Sequence, residues 1–344
     1  MKENRKPGRM AVDLLLIFIV FLVIQMVVNG LVTLVYVYLN HVDAAQFAQQ
    51  VASGQQGQFV AATSVLSSLL TIMVYPRLRW TPLDRTYLRS RPWATLVWCG
   101  LLTLGTILPF EWVYEQLQIQ MADSHQALFE SVMREPWGYV ALGILAPVAE
   151  EFVFRGGLLR TLLSMMRVRG WESGRYVAPT ASSASVAPTR SSASGERAGR
   201  AWAPWLAIAF SALLFGVVHM NWAQGFHGFI MGLLLGWLYY RTGSMMPGII
   251  VHWVNNTVAY LMFKLLPGMA DGQLIDFFHG SERLMVVGLL CSLSILVPSL
   301  FQIILRTKKK NGLRPPGQGF FSDTDRKFPS DTDRNSFFPD TDRT

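Results

Sequence analysis

The chain has 344 residues, of which 51% are hydrophobic and only 15% charged, with a formal net charge of +8. Soluble globular domains carry roughly 25% charged residues, so this composition, with a mean hydropathy of +0.30, excludes an ordinary soluble domain. The basic excess sits in connections between apolar blocks, where it marks membrane orientation; it forms no nucleic-acid footprint.

Apolar blocks at 11–38, 58–75, 93–114, 138–165, 202–220, 228–241, 247–266 and 284–305 predict an all-α, polytopic membrane helix bundle of about eight transmembrane helices. The first block follows Lys2, Arg5, Lys6 and Arg9. It is too long for the apolar region of a signal peptide and lacks a small-residue cleavage site, so it reads as a helix. Arg77, Arg79, Arg85, Arg89 and Arg91 fill the second connection. Arg167, Arg169, Arg175, Arg190, Arg197 and Arg200 fill the fourth, and Lys308, Lys309 and Lys310 follow the last block. The connections at 39–57 and 115–137 carry almost no Lys or Arg, Arg134 excepted. This alternation predicts that both termini are cytoplasmic. A multi-pass protein of a bacterial cytoplasmic membrane is the expected localisation.

The same pass divides the chain into N-terminal transmembrane helices (1–137), a core (138–266) and a final transmembrane helix (284–305). Within 115–137, Leu117, Met121, Ala127 and Leu128 suggest one face of an amphipathic connecting helix at the outer surface. The core is interrupted at 168–201 by a loop rich in Ser, Ala and Pro, which cannot bury a core and should be flexible. The tail, 307–344, repeats DTDR at 323–326, 331–334 and 340–343 and should be disordered. Cys99 and Cys291 fall in apolar blocks and form neither a disulfide framework nor a zinc spacing.

Chemistry concentrates in the core. The stretch APVAEEFVFRGG, 146–157, puts two carboxylates and a guanidinium in an apolar run, where ionisable groups are costly and usually functional. Glu151 and Arg155 are four apart and can pair on one helix face. Glu150, turned about 100° away, has no partner in the sequence and is the carboxylate free to act as a general base. Of six histidines, His41, His125 and His279 fall in polar connections, whereas His219, His227 and His252 lie in or beside apolar blocks. Phe215 and His219 are four apart, as are His252 and Asn256; Asn255 points elsewhere. Imidazole and carboxylate are zinc ligands, and together they can also activate water without a metal. His and Asn side chains can stabilise an oxyanion.

EEFVFR (150–155), FGVVH (215–219) and HWVNN (252–256) match EExxxR, FxxxH and HxxxN boxes, in that order on separate apolar blocks. In this the chain resembles the CAAX-type prenyl-protein endopeptidases and their bacterial relatives, the CPBP or Abi intramembrane protease family. The resemblance covers about 138–265. It implies an eight-helix intramembrane endopeptidase acting on a membrane-associated protein or peptide. It implies Glu150 and His219 as the pair that activates water, His252 and Asn256 as the oxyanion site, and Glu151 and Arg155 as support. Zinc held by Glu150, Glu151, His219 and His252, or a metal-free mechanism, are both compatible with it.

Two other readings compete. A non-catalytic immunity or scaffold protein of the same family is disfavoured by the intact boxes. A transporter is disfavoured because polar groups gather in the second half, without the similar halves such folds often show. One expectation is awkward. Counting 1.5 Å per residue puts His219 near the outer end of its block and His252 near the inner end of its own. For them to meet, either the block boundaries lie elsewhere, or residues 219–228 dip back as non-helical chain, with Gly225 and Gly228 permitting the bend.

Overall fold

The computed structural model describes residues 7–83, 86–119, 123–166, 168, 201–266 and 272–307. The loop expected at 168–201, its ends apart, and the DTDR tail lie outside these residues. Among the described residues every regular element is helical and no strand occurs. The long helices are α1 (Pro7–Asn40), α3 (Gly57–Arg77) and α5 (Trp93–Gln116), with short α2 (Ala44–Ala52) and α4 (Thr86–Arg89) in the connections and α6 (Asp123–Arg134) after them. A continuous helix of changing pitch follows: π-helical Tyr139–Leu145 (π1), α7 (Ala146–Glu151), π-helical Phe152–Leu159 (π2) and α8 (Arg160–Met165). Then come α9 (Ala203–Val217), α10 (Trp222–Thr242), α11 (Met246–Leu265), α12 (Leu274–Phe277) and α13 (Glu282–Thr307).

Four helices are long and apolar enough to cross a bilayer: α1 from Gly8, α3, α5 and α13. A fifth span results if α6 and the 139–165 helix, bent by 101° to each other, count as one. Helix α9 has only 15 residues. Helices α10 and α11, at 21 and 20 residues, are not apolar enough to be counted, because they carry the polar residues and glycines of the site.

Helix α6 is shorter and better packed than its sequence suggests. Leu117 caps α5 and is exposed, while Val132 and Met133 on α6 are buried. Gly54, at φ +74°, lies against the backbone of Ala127, and a Cβ on Gly57 would overlap the Ser131 carbonyl. Side-chain bulk is excluded where α6 meets the start of α3. Helix α2 escaped sequence reading; Asp43 caps it by accepting from the Gln46 amide at 2.8 Å.

The centre of the bundle is built from α1, α3, the 139–165 helix, α9, α10 and α11. Ile17, Phe21, Tyr75, Phe154, Phe215, Leu235 and Val251 form its apolar heart. Tyr75 on α3 donates to the Ile17 carbonyl of α1 at 2.5 Å, satisfying a buried hydroxyl. Helices α9 and α10 form a hairpin whose seam is made of small residues. A Cβ on Gly232 would come within 2.9 Å of Ala212, and one on Gly216 within 2.5 Å of the Gly225 carbonyl. Such seams let backbones approach where lipid provides no hydrophobic drive between helices. Helix α13 packs along α5, with Ser292 donating to the Gly105 carbonyl at 3.3 Å.

Candidate active site

The Glu doublet closes α7, between two π-helical stretches. Wider π turns are rare and gather at functional sites. Here, carbonyls along this helix take additional side-chain donors. Thr81 donates to the Phe152 carbonyl at 2.6 Å, Ser211 to that of Phe154 at 3.1 Å, and Asn256 to that of Leu142 at 2.8 Å. The helix is thereby tied to the connection after α3, to α9 and to α11.

Glu151 and Arg155 form an ion pair at 2.8 Å with both side chains fully buried. The Arg155 guanidinium also lies 4.5 Å from the Phe215 ring centre and donates to the Gly232 carbonyl at 3.3 Å. Burial of two charges is tolerable only with such partners. Glu151 presses against the backbone of α11, where a Cβ on Gly248 would overlap Oε2. Glu150 is different. Its side chain is 21% exposed, and its Oε2 lies 3.6 Å from His252 Nε2. That gap exceeds a direct hydrogen bond, yet is close enough for strong electrostatic coupling.

His252, in the second turn of α11, is buried. Its Nδ1 lies 3.9 Å from Glu151 Oε1, so this ring stands between the two carboxylates. His219 lies just beyond α9, in the turn leading to α10. Its Nδ1 is 2.8 Å from the Phe215 carbonyl. A carbonyl can only accept, so Nδ1 carries the proton there and Nε2 is left with its lone pair. Asn221 shapes the turn by capping α10, accepting from the Gln224 amide at 2.9 Å. The Phe215 ring separates the imidazoles. Both meet it nearly edge to face, His219 at 5.3 Å and 88°, His252 at 5.7 Å and 86°.

The structure resolves the depth conflict through the element boundaries and not through a dip. Residues from Trp222 onward are regular helix, not a re-entrant stretch. Helix α9 is instead short: its 15 residues span about 22 Å, less than the hydrocarbon thickness of about 30 Å. The His219 turn follows directly on this short helix. Gly228 does not bend the chain; it makes room for His219, whose Nδ1 would lie 3.3 Å from an added Cβ.

His252, rather than His219, is the imidazole that approaches Glu150. Asn256 sits one turn after His252. His41, His125 and His279 are exposed. Sequence reading gave no role to His227 on α10, although it lies within electrostatic reach of both His219 and His252. Nor did it foresee that Asn255 donates to Asn256 Oδ1 at 3.2 Å. A His in an apolar block, eight residues after the FxxxH histidine, was the available signal.

Among the described residues, no group of three or more His, Cys, Asp or Glu is gathered closely enough to hold a metal ion. Glu151 Oε1 is engaged by Arg155, and Glu150, Glu151, His219 and His252 are not gathered as a zinc site as they stand.

No curated protein and no solved structure matches the chain significantly. Residues 133–258 match the family model of the type II CAAX prenyl endopeptidase Rce1-like proteins. That stretch holds Glu150, Glu151, Arg155, His219, His252 and Asn256. Through its segment 133–258 the chain is similar to the Rce1-like type II CAAX prenyl endopeptidases, which supports its assignment to the CAAX protease family.

Proposed function

We propose that this protein is an intramembrane endopeptidase that cleaves membrane-associated or CAAX-like protein substrates with a water activated by Glu150. In this reading the bundle crosses the bilayer eight times, with both termini in the cytoplasm, in a bacterial cytoplasmic membrane. Residues 1–137 supply supporting helices, 138–266 the catalytic core and 284–305 the last span. The observation that carries the reading is the unequal doublet: Glu151 is sealed against Arg155, while Glu150 is partly open and faces an imidazole at 3.6 Å.

The water oxygen attacks the scissile carbonyl carbon while its proton passes to Glu150. The free Nε2 of His219 accepts a hydrogen bond from the same water and orients it. Oxyanion charge is met by N–H donors of His252 and Asn256; Asn256 has a second amide hydrogen beyond the one given to Leu142. Glu150 then delivers its proton to the leaving nitrogen as the C–N bond breaks, completing acid–base catalysis. Arg155 holds Glu151, and Glu151 fixes the His252 ring. No step is routed through a metal, since the donor set does not fit one.

The test compares protein termini in cells expressing wild type or Glu150→Gln at equal level. New termini that appear only with the wild type support the reading and name the cut site. Matching profiles, with His219→Ala also without effect, would remove it.

A further inference from the structure

Pro147 leaves a gap in the backbone ladder of the 139–165 helix. In a π stretch each amide bonds the carbonyl five residues back, and the Ala146 amide accordingly donates to the Ala141 carbonyl. The next amide in that series would serve the Leu142 carbonyl. It belongs to Pro147, which is buried and has no N–H. At α pitch its ring would also crowd the carbonyl four residues back, that of Gly143; the wider pitch of π1 ends just ahead of it. The Leu142 carbonyl is thereby open to a donor from outside the helix, and Asn256 of α11 supplies one, donating through Nδ2 at 2.8 Å. That bond decides which way the Asn256 amide lies, because a flipped amide would set its oxygen against the carbonyl oxygen. Asn256 Oδ1 accepts from Asn255 Nδ2 at 3.2 Å, so the amide is held at both ends and one Nδ2 hydrogen is left to give. The seam is pinned beside it. The Tyr139 hydroxyl of π1 accepts from Trp253 Nε1 at 3.0 Å and lies 3.0 Å from Thr257 Oγ1.

We propose that Pro147 is a positioning residue: the amide hydrogen it lacks keeps the Leu142 carbonyl open for Asn256, and so aims the remaining Asn256 N–H at the reacting carbonyl. The assignment rests on the reading of Asn256 as an oxyanion donor. A donor aimed wrongly stabilises the transition state less while leaving substrate binding as it was, so the loss falls on kcat and not on KM.

The experiment uses full-length protein in proteoliposomes and an internally quenched peptide ending in a farnesylated CAAX box. Pro147→Ala supplies the missing hydrogen, which competes with Asn256 for the Leu142 carbonyl. It should lower kcat about 10-fold with KM unchanged. Its unfolding midpoint should stay the same or rise, since alanine suits a helix interior better than proline. Lactic acid placed at position 147 by nonsense suppression has the side chain of alanine and, like proline, no amide hydrogen; this ester should restore most of the wild-type kcat. In an Asn256→Ala background, already reduced about 10²-fold or more, Pro147→Ala should add nothing. Wild-type kcat in Pro147→Ala, an ester as slow as the alanine variant, or losses that multiply in the double variant would each overturn the role of Pro147 alone. A lower unfolding midpoint in Pro147→Ala would mark the proline as a structural residue and overturn it too. Full activity of Asn256→Ala would overturn the oxyanion reading and the role of Pro147 with it. A wild-type enzyme that leaves the probe uncut would overturn both as well.

Discussion

Arg155→Met is the most informative perturbation of the buried ion pair. The substitution keeps the length of the side chain and removes its charge. Arg155 and Glu151 are 2.8 Å apart with neither exposed. At an effective dielectric constant near 20 their attraction is about 6 kcal/mol, set against a desolvation cost of similar size. The net worth of the pair is therefore small, while removal of one partner leaves the cost uncompensated, at about 3–5 kcal/mol. His252 Nδ1, 3.9 Å from Glu151 Oε1, can take over part of the charge. The single variant should accordingly lose about 3 kcal/mol, toward the lower end of that range. The double variant Glu151→Gln/Arg155→Met should recover most of that loss, because nothing charged is left buried. The assay is tryptophan fluorescence during denaturant titration in detergent micelles. A loss under about 1 kcal/mol in Arg155→Met, or a double variant no more stable than the single, would refute the account of Glu151 as a charge kept in place by its partner.

Three further outcomes are expected. Gly248→Ala should destabilise by about 1–3 kcal/mol and lower turnover, because its Cβ would overlap Glu151 Oε2 and lie 3.2 Å from Cδ, one turn ahead of His252; unfolding and peptide cleavage would be read together. Incubation with a strong chelator, with residual metal counted by mass spectrometry, should leave the cleavage rate unchanged, since the carboxylates and imidazoles are not gathered as a ligand set. Arg241→Gln should loosen the end of α13, where the guanidinium donates to Thr307 Oγ1 at 3.0 Å and the Ile304 carbonyl at 2.9 Å; hydrogen exchange in the last turn should rise about 10-fold, equivalent to about 1.4 kcal/mol.

The eight apolar blocks were legible in the sequence because long apolar helices advertise themselves by composition. Each block coincides with a helix or with the 139–165 run of the structure. The Glu151–Arg155 pairing followed from a spacing of four, and it survives even though Arg155 falls in a π-helical stretch. The edge-to-face contact of Phe215 with His219 followed likewise. Other features were hidden for physical reasons. The level of the His219 turn depends on where α9 stops, and an apolar run shows no sharp end. The π pitch leaves no composition signal. The Asn255 contact was missed because adjacent residues on a helix point about 100° apart, a rule about Cβ directions that two amide side chains can reach around. Phe215 as a shared wall between two imidazoles depends on tertiary placement that spacing alone does not provide.

The changing pitch of the 139–165 helix has an evolutionary corollary. A π turn holds one residue more than an α turn, so its length in sequence is fixed by its winding. Deleting a single residue between Tyr139 and Leu145 while that stretch keeps its π pitch would turn everything after it by the angle of one residue, on the order of 80–100°. Glu151 would then occupy the bearing of Glu150, and the sealed carboxylate would trade places with the open one. Substitution can proceed along this segment one side chain at a time, whereas an insertion or deletion needs a compensating change of pitch. Relatives that keep the chemistry should therefore keep the residue count of this helix, or shed a π turn with each residue lost, even where they share few of its letters.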